Sequence, residues 1–120
     1  MFRFEKLEIW QMAIEQSDEV YRTTRSFPRE EQFGLTSQVR RSAVSIAANI
    51  AEGSGRSSDG DFRRFLEIAT GSLMETVSHL AVARRQNLLP TGDHLSLYNR
   101  CESLGKMLSN FKKRLQKNNP

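Results

Sequence analysis

The chain has little of several residue types, and each shortage excludes a class of protein. It contains one cysteine, Cys101, and two histidines, His79 and His94, among 120 residues. A lone cysteine cannot form an intrachain disulfide and supplies too few ligands for a cysteine-based zinc site. A helical di-iron site needs repeated Glu-x-x-His motifs, whereas Glu75 and His79 are four residues apart and unrepeated. We therefore expect a reducing compartment, no metal and no cofactor.

Long apolar runs are also missing. No segment approaches the roughly 20 apolar residues of a membrane-spanning helix. Glu5 and Glu8 lie where a secretory signal needs an uninterrupted apolar core. The composition, 38% hydrophobic and 27% charged, is ordinary for a globular protein. We expect a cytoplasmic protein with no membrane segment.

Strand signals and internal repeats are absent, and only a few strong helix breakers divide the chain. Pro28, Gly53 with Gly55, and Pro90 with Gly92 separate four stretches of helical length. This pattern predicts an all-α fold, an antiparallel up-down four-helix bundle, formed by one domain over residues 1–120. The predicted helices cover residues 4–26, 30–53, 59–88 and 93–117.

Apolar residues recur at three- and four-residue steps in each predicted helix, which gives each one a buried face. In the first helix the expected face is Leu7, Trp10, Ile14, Ser17, Tyr21 and Thr24, widened by Ile9, Ala13 and Val20. The fourth helix has a heptad pattern: Leu97, Cys101, Leu104, Leu108, Phe111 and Leu115.

A second, polar line follows the apolar face of the second helix. Its members are small or uncharged in all but one case: Gln38, Ser42, Ser45, Asn49 and Glu52. Such a line suits a close helix or subunit contact across which hydroxyl and amide groups form hydrogen bonds. The alternative is a partly exposed edge of the bundle.

Three further features concern the end of the second helix and the middle and start of the third. Gly53 and Gly55 are expected to cap the second helix in the left-handed conformation. Gly71, with Ser72, weakens the middle of the third helix, and we expect another helix to pass close to it. Ser58 and Asp61 have the spacing of a capping box at the start of that helix.

The net charge of +4 and the isoelectric point of about 9.6 suggest an anionic partner. The charge rises from −2 in residues 1–32 to +4 in residues 91–120. The candidate contacts to a nucleic-acid backbone are Arg40, Arg41, Arg56, Arg63, Arg64, Lys112, Lys113, Arg114 and Lys117. Alternatively these side chains form a solvated face, or the adjacent pair Arg40 and Arg41 meets a carboxylate such as Glu52 or Glu75.

The run FGLTSQVRRSAVSIAANIAEGSGR, residues 33–56, resembles proteins encoded in intervening sequences of bacterial large-subunit ribosomal RNA genes. LEIWQMAIE and FPREEQFGL before it, and RFLEIATGSLMET and the basic fourth helix after it, extend the resemblance over nearly the whole chain. That family is similar to the accessory variability determinant of diversity-generating retroelements. Ala47 and Ala48 stand where a proline and a small polar residue are common, and Asp61 stands where glutamate is usual.

The resemblance implies a four-helix bundle that assembles into a ring-like homopentamer without enzymatic activity. In the retroelement relatives the basic ring is taken to bind nucleic acid and a reverse transcriptase. The family motif includes Arg40, Arg41, Arg56 and Arg64 of this chain.

Three functional hypotheses follow. The first is a non-enzymatic oligomeric module that binds RNA or DNA backbone through basic helix faces. The second is a protein-interaction scaffold with no nucleic-acid role, in which the polar line forms subunit contacts. The third is an enzyme that uses Glu75 and His79 in a concave site with a metal or ligand. Cys101 lies on a core face, where a thiol behaves as a small hydrophobe, and we expect no catalytic residues.

Overall fold

In the computed structural model, which describes the backbone of residues 1–117 and the side chains of residues 1–115, four α-helices pack as an antiparallel up-down bundle. They are α1 (Glu8–Thr24), α2 (Leu35–Ser54), α3 (Asp59–Arg85) and α4 (Thr91–Lys117), with short 3-10 helices at Arg3–Lys6 and Arg29–Glu31. The bundle measures 49 × 22 × 21 Å. The predicted all-α architecture is confirmed. None of the described helices is long and apolar enough to cross a bilayer.

The first two predicted helices begin too early. Residues 4–26 divide into a 3-10 turn and α1, because Leu7 between them is extended, with φ −81° and ψ 125°. The predicted start at residue 30 is likewise a separate 3-10 turn, and α2 begins only after Gly34, whose φ and ψ are −110° and −113°. Single 3-10 turns of this kind are common connectors that carry helix-like sequence signals.

The third helix begins as predicted and ends three residues before the predicted Leu88. The Ser58 hydroxyl accepts a hydrogen bond from the Asp61 amide at 3.1 Å and caps the start. At the other end Asn87 adopts φ 60°, and the Leu88 amide donates to the Ala83 carbonyl at 2.9 Å. This is a Schellman motif, so a left-handed asparagine stops the helix.

The glycine predictions are only partly right: α2 ends at Gly55 as expected, but not in the left-handed conformation. No glycine of the chain has a positive φ, and Gly55 at the end of α2 has φ −89°. Gly53 lies inside the helix, where an added Cβ would come within 2.7 Å of the Phe65 Cβ and 2.9 Å of the Phe62 ring. An added Cβ on Gly71 would meet no atom within 4 Å. Helix α2 does pass close to the middle of α3, but at Ser72, whose hydroxyl lies 2.9 Å from that of Ser45. Gly53 marks a further close approach of the two helices.

One apolar core runs along the bundle axis. Its fully buried large side chains come from all four helices and include Val20, Ile46, Ile50, Phe62, Leu66, Leu73, Leu80, Leu97, Leu104 and Leu108. In α1 the buried face is centred on Ile9, Ala13 and Val20, which were expected only to widen it. Ile14 and Tyr21 are 36% and 39% exposed, because the face is rotated toward Gln16 and Thr23.

Candidate nucleic-acid interface

The antiparallel topology brings the start of α1 and α3 to the same end of the bundle as the end of α2 and α4. The basic residues there are Arg3, Arg56, Arg63, Arg64, Lys112, Lys113 and Arg114. We call this set the basic end. The rings of Phe62 in α3 and Phe111 in α4, with centroids 5.4 Å apart and planes tilted by 58°, join two of the helices that carry it. Six of the predicted contact residues are thus brought together.

Two arginines of the basic end reach the last carbonyl groups of a neighbouring helix. Arg3 Nη1 donates to the Ser54 carbonyl at 3.4 Å, and Arg63 Nη1 donates to the Leu115 carbonyl at 3.3 Å. The last carbonyls of an α-helix lack partners within the helix and carry the negative end of its dipole. Arg3 and Arg63 therefore stabilise the ends of α2 and α4. Sequence reasoning missed Arg3, since nothing in its local pattern indicates a partner 51 residues away.

Arg56 and Arg64 flank the same buried ring. Their guanidinium carbons lie 4.6 Å and 5.0 Å from the centroid of Phe65. Arg56 also pairs with Glu52 at 3.0 Å, whereas Arg64 Nε is 3.8 Å from the nearest carboxylate oxygen of Asp61. The ring orients both guanidinium groups by cation–π attraction. Arg64, with 60% of its side chain exposed, is the more available to an external anion.

The end of α4 contributes the rest of the basic end. Lys112 Nζ is 3.5 Å from Glu67 of α3. Arg114 packs over the Phe111 ring at 5.2 Å, and Lys113 is exposed. Among the described side chains neither Lys113 nor Arg114 forms an ion pair with a carboxylate. The side chain of Lys117 lies outside the described residues.

The paired arginines of α2 lie away from the basic end and separate from each other. Arg40 turns to α1, where its Nε donates to Thr24 Oγ1 at 2.8 Å and its guanidinium lies 4.5 Å from the Tyr21 ring centroid. Arg41 turns to α3 and forms an ion pair with Glu75 at 2.8 Å. The two side chains are therefore not part of one continuous surface with the basic end.

The polar line of α2 faces α3 at its middle. Ser42 and Thr76 share a hydrogen bond of 2.8 Å, and Ser45 and Ser72 share one of 2.9 Å. Asn49 Nδ2 donates to the Ser45 carbonyl at 2.8 Å and to the Ser45 hydroxyl at 3.0 Å. The line is therefore a contact with α3 at Ser42 and Ser45, whereas Asn49 bonds back to Ser45 of its own helix.

The outer members of that line are exposed. Gln38 Oε1 accepts a hydrogen bond from Arg41 Nη2 at 3.0 Å, and Glu52 pairs with Arg56. Both side chains lie at the surface and do not join the contact with α3.

A groove of about 440 Å³ opens between α3 and α4. Its walls are mainly apolar and include Met74, Val77, Tyr98 and Gly105. Met74 is 56% exposed and Tyr98 41%. An exposed apolar groove of this kind suits contact with another protein surface.

The groups that an enzyme would use are poorly placed. His79 Nε2 is 3.6 Å from Glu75 Oε1, the same oxygen that Arg41 holds. In the described part of the chain no group of three or more histidine, cysteine, aspartate and glutamate side chains could hold a metal ion. Burial raises the pKa of the Cys101 thiol to about 11, although a hydrogen bond from Gln16 opposes the shift. A thiol with this pKa stays protonated at neutral pH and is a poor nucleophile.

Comparison with known proteins gives the same fold and a family. A crystal structure of a protein of unknown function from the S23 ribosomal protein family of Bacteroides thetaiotaomicron is 25% identical and superposes with a TM-score of 0.78. The match covers 88% of this chain and 98% of that one. No curated protein matches the sequence. The family described as 23S rRNA-intervening sequence protein matches residues 5–110. With most of its length matched, this chain belongs to the 23S rRNA-intervening sequence protein family.

Proposed function

We propose that the chain is the subunit of a non-enzymatic homo-oligomer that binds RNA or DNA backbone through the basic end of the bundle. The observation that carries the proposal is the convergence of basic side chains from the α2–α3 connection, α3 and α4 on that end, with Lys113 and Arg114 free of carboxylates among the described side chains. The family description, which refers to 23S rRNA, agrees with a nucleic-acid partner.

The arrangement favours phosphate contact over base reading. Lysine and arginine side chains that contact phosphate groups carry no sequence information directly. Several of its arginines are held by internal carboxylates or carbonyls, which leaves few charges per subunit. Several copies in one assembly would multiply the field. Binding is therefore expected to be weak for one subunit, strongly dependent on salt and independent of sequence.

The test is a salt titration of binding to a fluorescent single-stranded RNA, followed by anisotropy. Each phosphate contact contributes about 0.7 to the slope of log K against log salt concentration for single strands. Replacing Lys113 and Arg114 with alanine should lower that slope by about 1.4. The control is Arg84→Ala with Arg85→Ala, which removes the same charge at the opposite end of the bundle and should leave most of the slope in place.

Absence of RNA binding at low salt would overturn the proposal. Equal losses in the Lys113/Arg114 variant and in its control would also overturn it, since general charge and not the basic end would then explain the attraction.

A protein-interaction scaffold is the second candidate, and the groove between α3 and α4 favours it. We propose that a second copy of the chain covers this groove, and a ring of five copies is the assembly that the sequence resemblance implies. Met74→Glu would place a charge in the groove without disturbing the core. Sedimentation should then show a smaller species than the wild type. An unchanged oligomeric state would exclude the groove as the subunit interface, and a monomeric wild type would exclude the homo-oligomer. A reverse transcriptase remains a proposed partner on the resemblance alone.

A further inference from the structure

A cleft at the corner between α1 and α2 has the composition of an anion-binding site. It has a volume of about 290 Å³ and is lined by residues of α1, the 3-10 turn and α2, among them Arg25, Arg29, Arg40 and Thr36. No aspartate or glutamate lines it. We call it the corner cleft. It lies at the end of the bundle opposite the basic end.

Arg40, one of the three arginines of the corner cleft, is held in place by contacts within the chain. Arg40 Nε donates to Thr24 Oγ1 at 2.8 Å, and its Nη2 approaches the Tyr21 carbonyl at 3.5 Å. The Tyr21 ring supports the guanidinium face at 4.5 Å. These contacts use one edge of the guanidinium and leave Nη1 without a protein partner among the described residues. A guanidinium fixed in this way loses little conformational entropy when it binds an anion.

A buried hydroxyl in the wall of the cleft also lacks a partner. Thr36 is 7% exposed, and its Oγ1 forms no hydrogen bond within the described structure. Buried hydroxyl groups are normally satisfied, and an orphan one costs free energy. Thr36 lies on the wall that Arg40 also forms. The Thr36 oxygen itself has almost no exposed surface, so the side chain must rotate for the hydroxyl to reach a ligand in the cleft. Such a rotation would give the hydroxyl the partner that it lacks.

Local carboxylates do not neutralise the arginines of the cleft. The connection carries two acidic residues, Glu30 and Glu31. Glu31 accepts a hydrogen bond from the Leu35 amide at 3.3 Å and so caps α2. No ion pair of Arg25, Arg29 or Arg40 is present among the described residues. Three cationic groups around one cleft match a dianion better than the single charge of a carboxylate.

We propose that the corner cleft binds the phosphate group of a phosphomonoester. The arginines supply charge-assisted hydrogen bonds to the phosphate oxygens, and Thr36 supplies a hydroxyl. The volume corresponds to roughly ten water molecules of the liquid, so a phosphate group leaves room for the start of the organic group that carries it. The phosphate belongs either to a small molecule such as a mononucleotide or to the 5′ end of an RNA chain.

The first measurement is the dissociation constant of the full chain for inorganic phosphate and for uridine 5′-monophosphate, by calorimetry at low ionic strength. Arg25 and Arg29 are exposed, so replacing both with glutamine should preserve the fold, which circular dichroism would check. The affinity for both ligands should fall about tenfold or more, as expected for the loss of charged hydrogen bonds. Arg84→Gln with Arg85→Gln is the charge-matched control and should keep the wild-type affinity.

The Thr36→Val variant separates a ligand contact from a structural role. Valine keeps the shape of threonine and removes the unsatisfied hydroxyl, so the free protein should unfold at the same or a higher temperature. Its affinity for phosphate should nevertheless fall. Unaltered phosphate affinity in this variant would overturn the part assigned to Thr36.

The source of the phosphate is decided with two RNA oligonucleotides of one sequence, one with a 5′-phosphate and one with a 5′-hydroxyl. Tighter binding of the phosphorylated form, lost in the Arg25/Arg29 variant, would identify an RNA end. Equal binding of the two, with uridine monophosphate still bound, would identify a small phosphomonoester.

Failure of the wild type to bind phosphate or the monophosphate would overturn the proposal, and so would equal affinity in the Arg25/Arg29 variant and its control. The corner cleft and the basic end share no residue, so this outcome would leave the proposed backbone binding by Lys113 and Arg114 unaffected.

Discussion

The two faces of α3 pack in opposite ways. Toward α2 the contact is made by small residues and hydroxyl groups, with Gly53 against Phe62 and Phe65 and Ser42 against Thr76. Toward α4 the same helix leaves a groove of about 440 Å³, in which large apolar side chains such as Met74 stay exposed. Small side chains let helix axes approach and seal the contact, whereas large ones keep the helices apart and leave apolar surface for another molecule. The first face is closely packed, and the second leaves apolar side chains exposed.

The largest predicted effect on the free energy of unfolding concerns Cys101, which lines the groove between α3 and α4. Burial raises the pKa of its thiol from 9.0 to about 11. Between these values the unfolded chain loses the thiol proton while the native chain keeps it, so the free energy of unfolding falls as the pH rises. Two pKa units correspond to about 2.7 kcal/mol. Urea unfolding from pH 9 to pH 11 should show most of this loss, about 2 kcal/mol, in the wild type relative to Cys101→Ala.

Parallel stability profiles for the wild type and Cys101→Ala would contradict this prediction. They would mean that the groove admits enough water to solvate the thiolate, and the α3–α4 face would be looser than the buried thiol indicates.

The second prediction tests the contact between α3 and α2, which we call the tight face. Gly53→Ala would place a Cβ within 2.7 Å of the Phe65 Cβ, a backbone-linked atom that cannot rotate away. Overpacking of this kind typically costs 1–3 kcal/mol, against a gain of about 1 kcal/mol from the helix propensity of alanine. We expect a net loss of about 2 kcal/mol in denaturant unfolding at most.

Gly71→Ala is the matched control at an exposed position of α3. It meets no atom within 4 Å and should raise the free energy of unfolding by up to about 1 kcal/mol. If the two alanine variants changed stability in the same direction, the contrast between the faces would not hold.

A smaller effect is expected for the hydroxyl pair of the tight face. Ser42 and Thr76 are both fully buried and share a 2.8 Å hydrogen bond. A double-mutant cycle of Ser42→Ala and Thr76→Val should show a coupling of about 1 kcal/mol. The control cycle pairs Ser42→Ala with Thr70→Val, whose hydroxyl bonds to the Leu66 carbonyl of its own helix. A coupling as large in the control would show that the measured energy does not come from the pair.

The smallest effect is predicted at the surface of the same face. Arg41 pairs with Glu75 at 2.8 Å, but the two side chains are 60% and 39% exposed. Exposed ion pairs contribute about 0–1 kcal/mol because water and salt screen them. Arg41→Ala should therefore lower the free energy of unfolding by about 0.5 kcal/mol or less in thermal denaturation. A loss of several times that amount would make the pair part of the fold and exclude Arg41 as a free phosphate contact.

The periodic parts of the fold could be predicted from the sequence, and the contacts between helices could not. The heptad from Leu97 to Leu115 in α4 is buried apart from a partly exposed Phe111, because a three- and four-residue spacing defines a face whatever the face meets. Glycine roles were misassigned at Gly53 and Gly71, since a glycine inside a helix and one at its end look alike until the neighbouring helix is placed.

The candidate sites, too, could be predicted from the sequence only in part. The basic residues of the second, third and fourth helices are visible along the chain, but their partners are distant in sequence: Arg63 meets Leu115 and Arg41 meets Glu75. The corner cleft depends on Arg25, Arg29 and Thr36, none of which stands out in a motif. The local sequence shows which hydrogen bonds and ion pairs a side chain can form. Only the residues near it in the fold decide whether those bonds are already formed.

By itself, the sequence determined the helical fold class, the face that α4 buries and the family, because these depend on spacing and composition along one segment. The tertiary structure alone decided which face of α3 is sealed, which cations are held internally and where an uncompensated positive cleft remains. Those outcomes depend on distances between segments far apart in the chain, and the free energy of an ion pair or a helix contact is set by such distances.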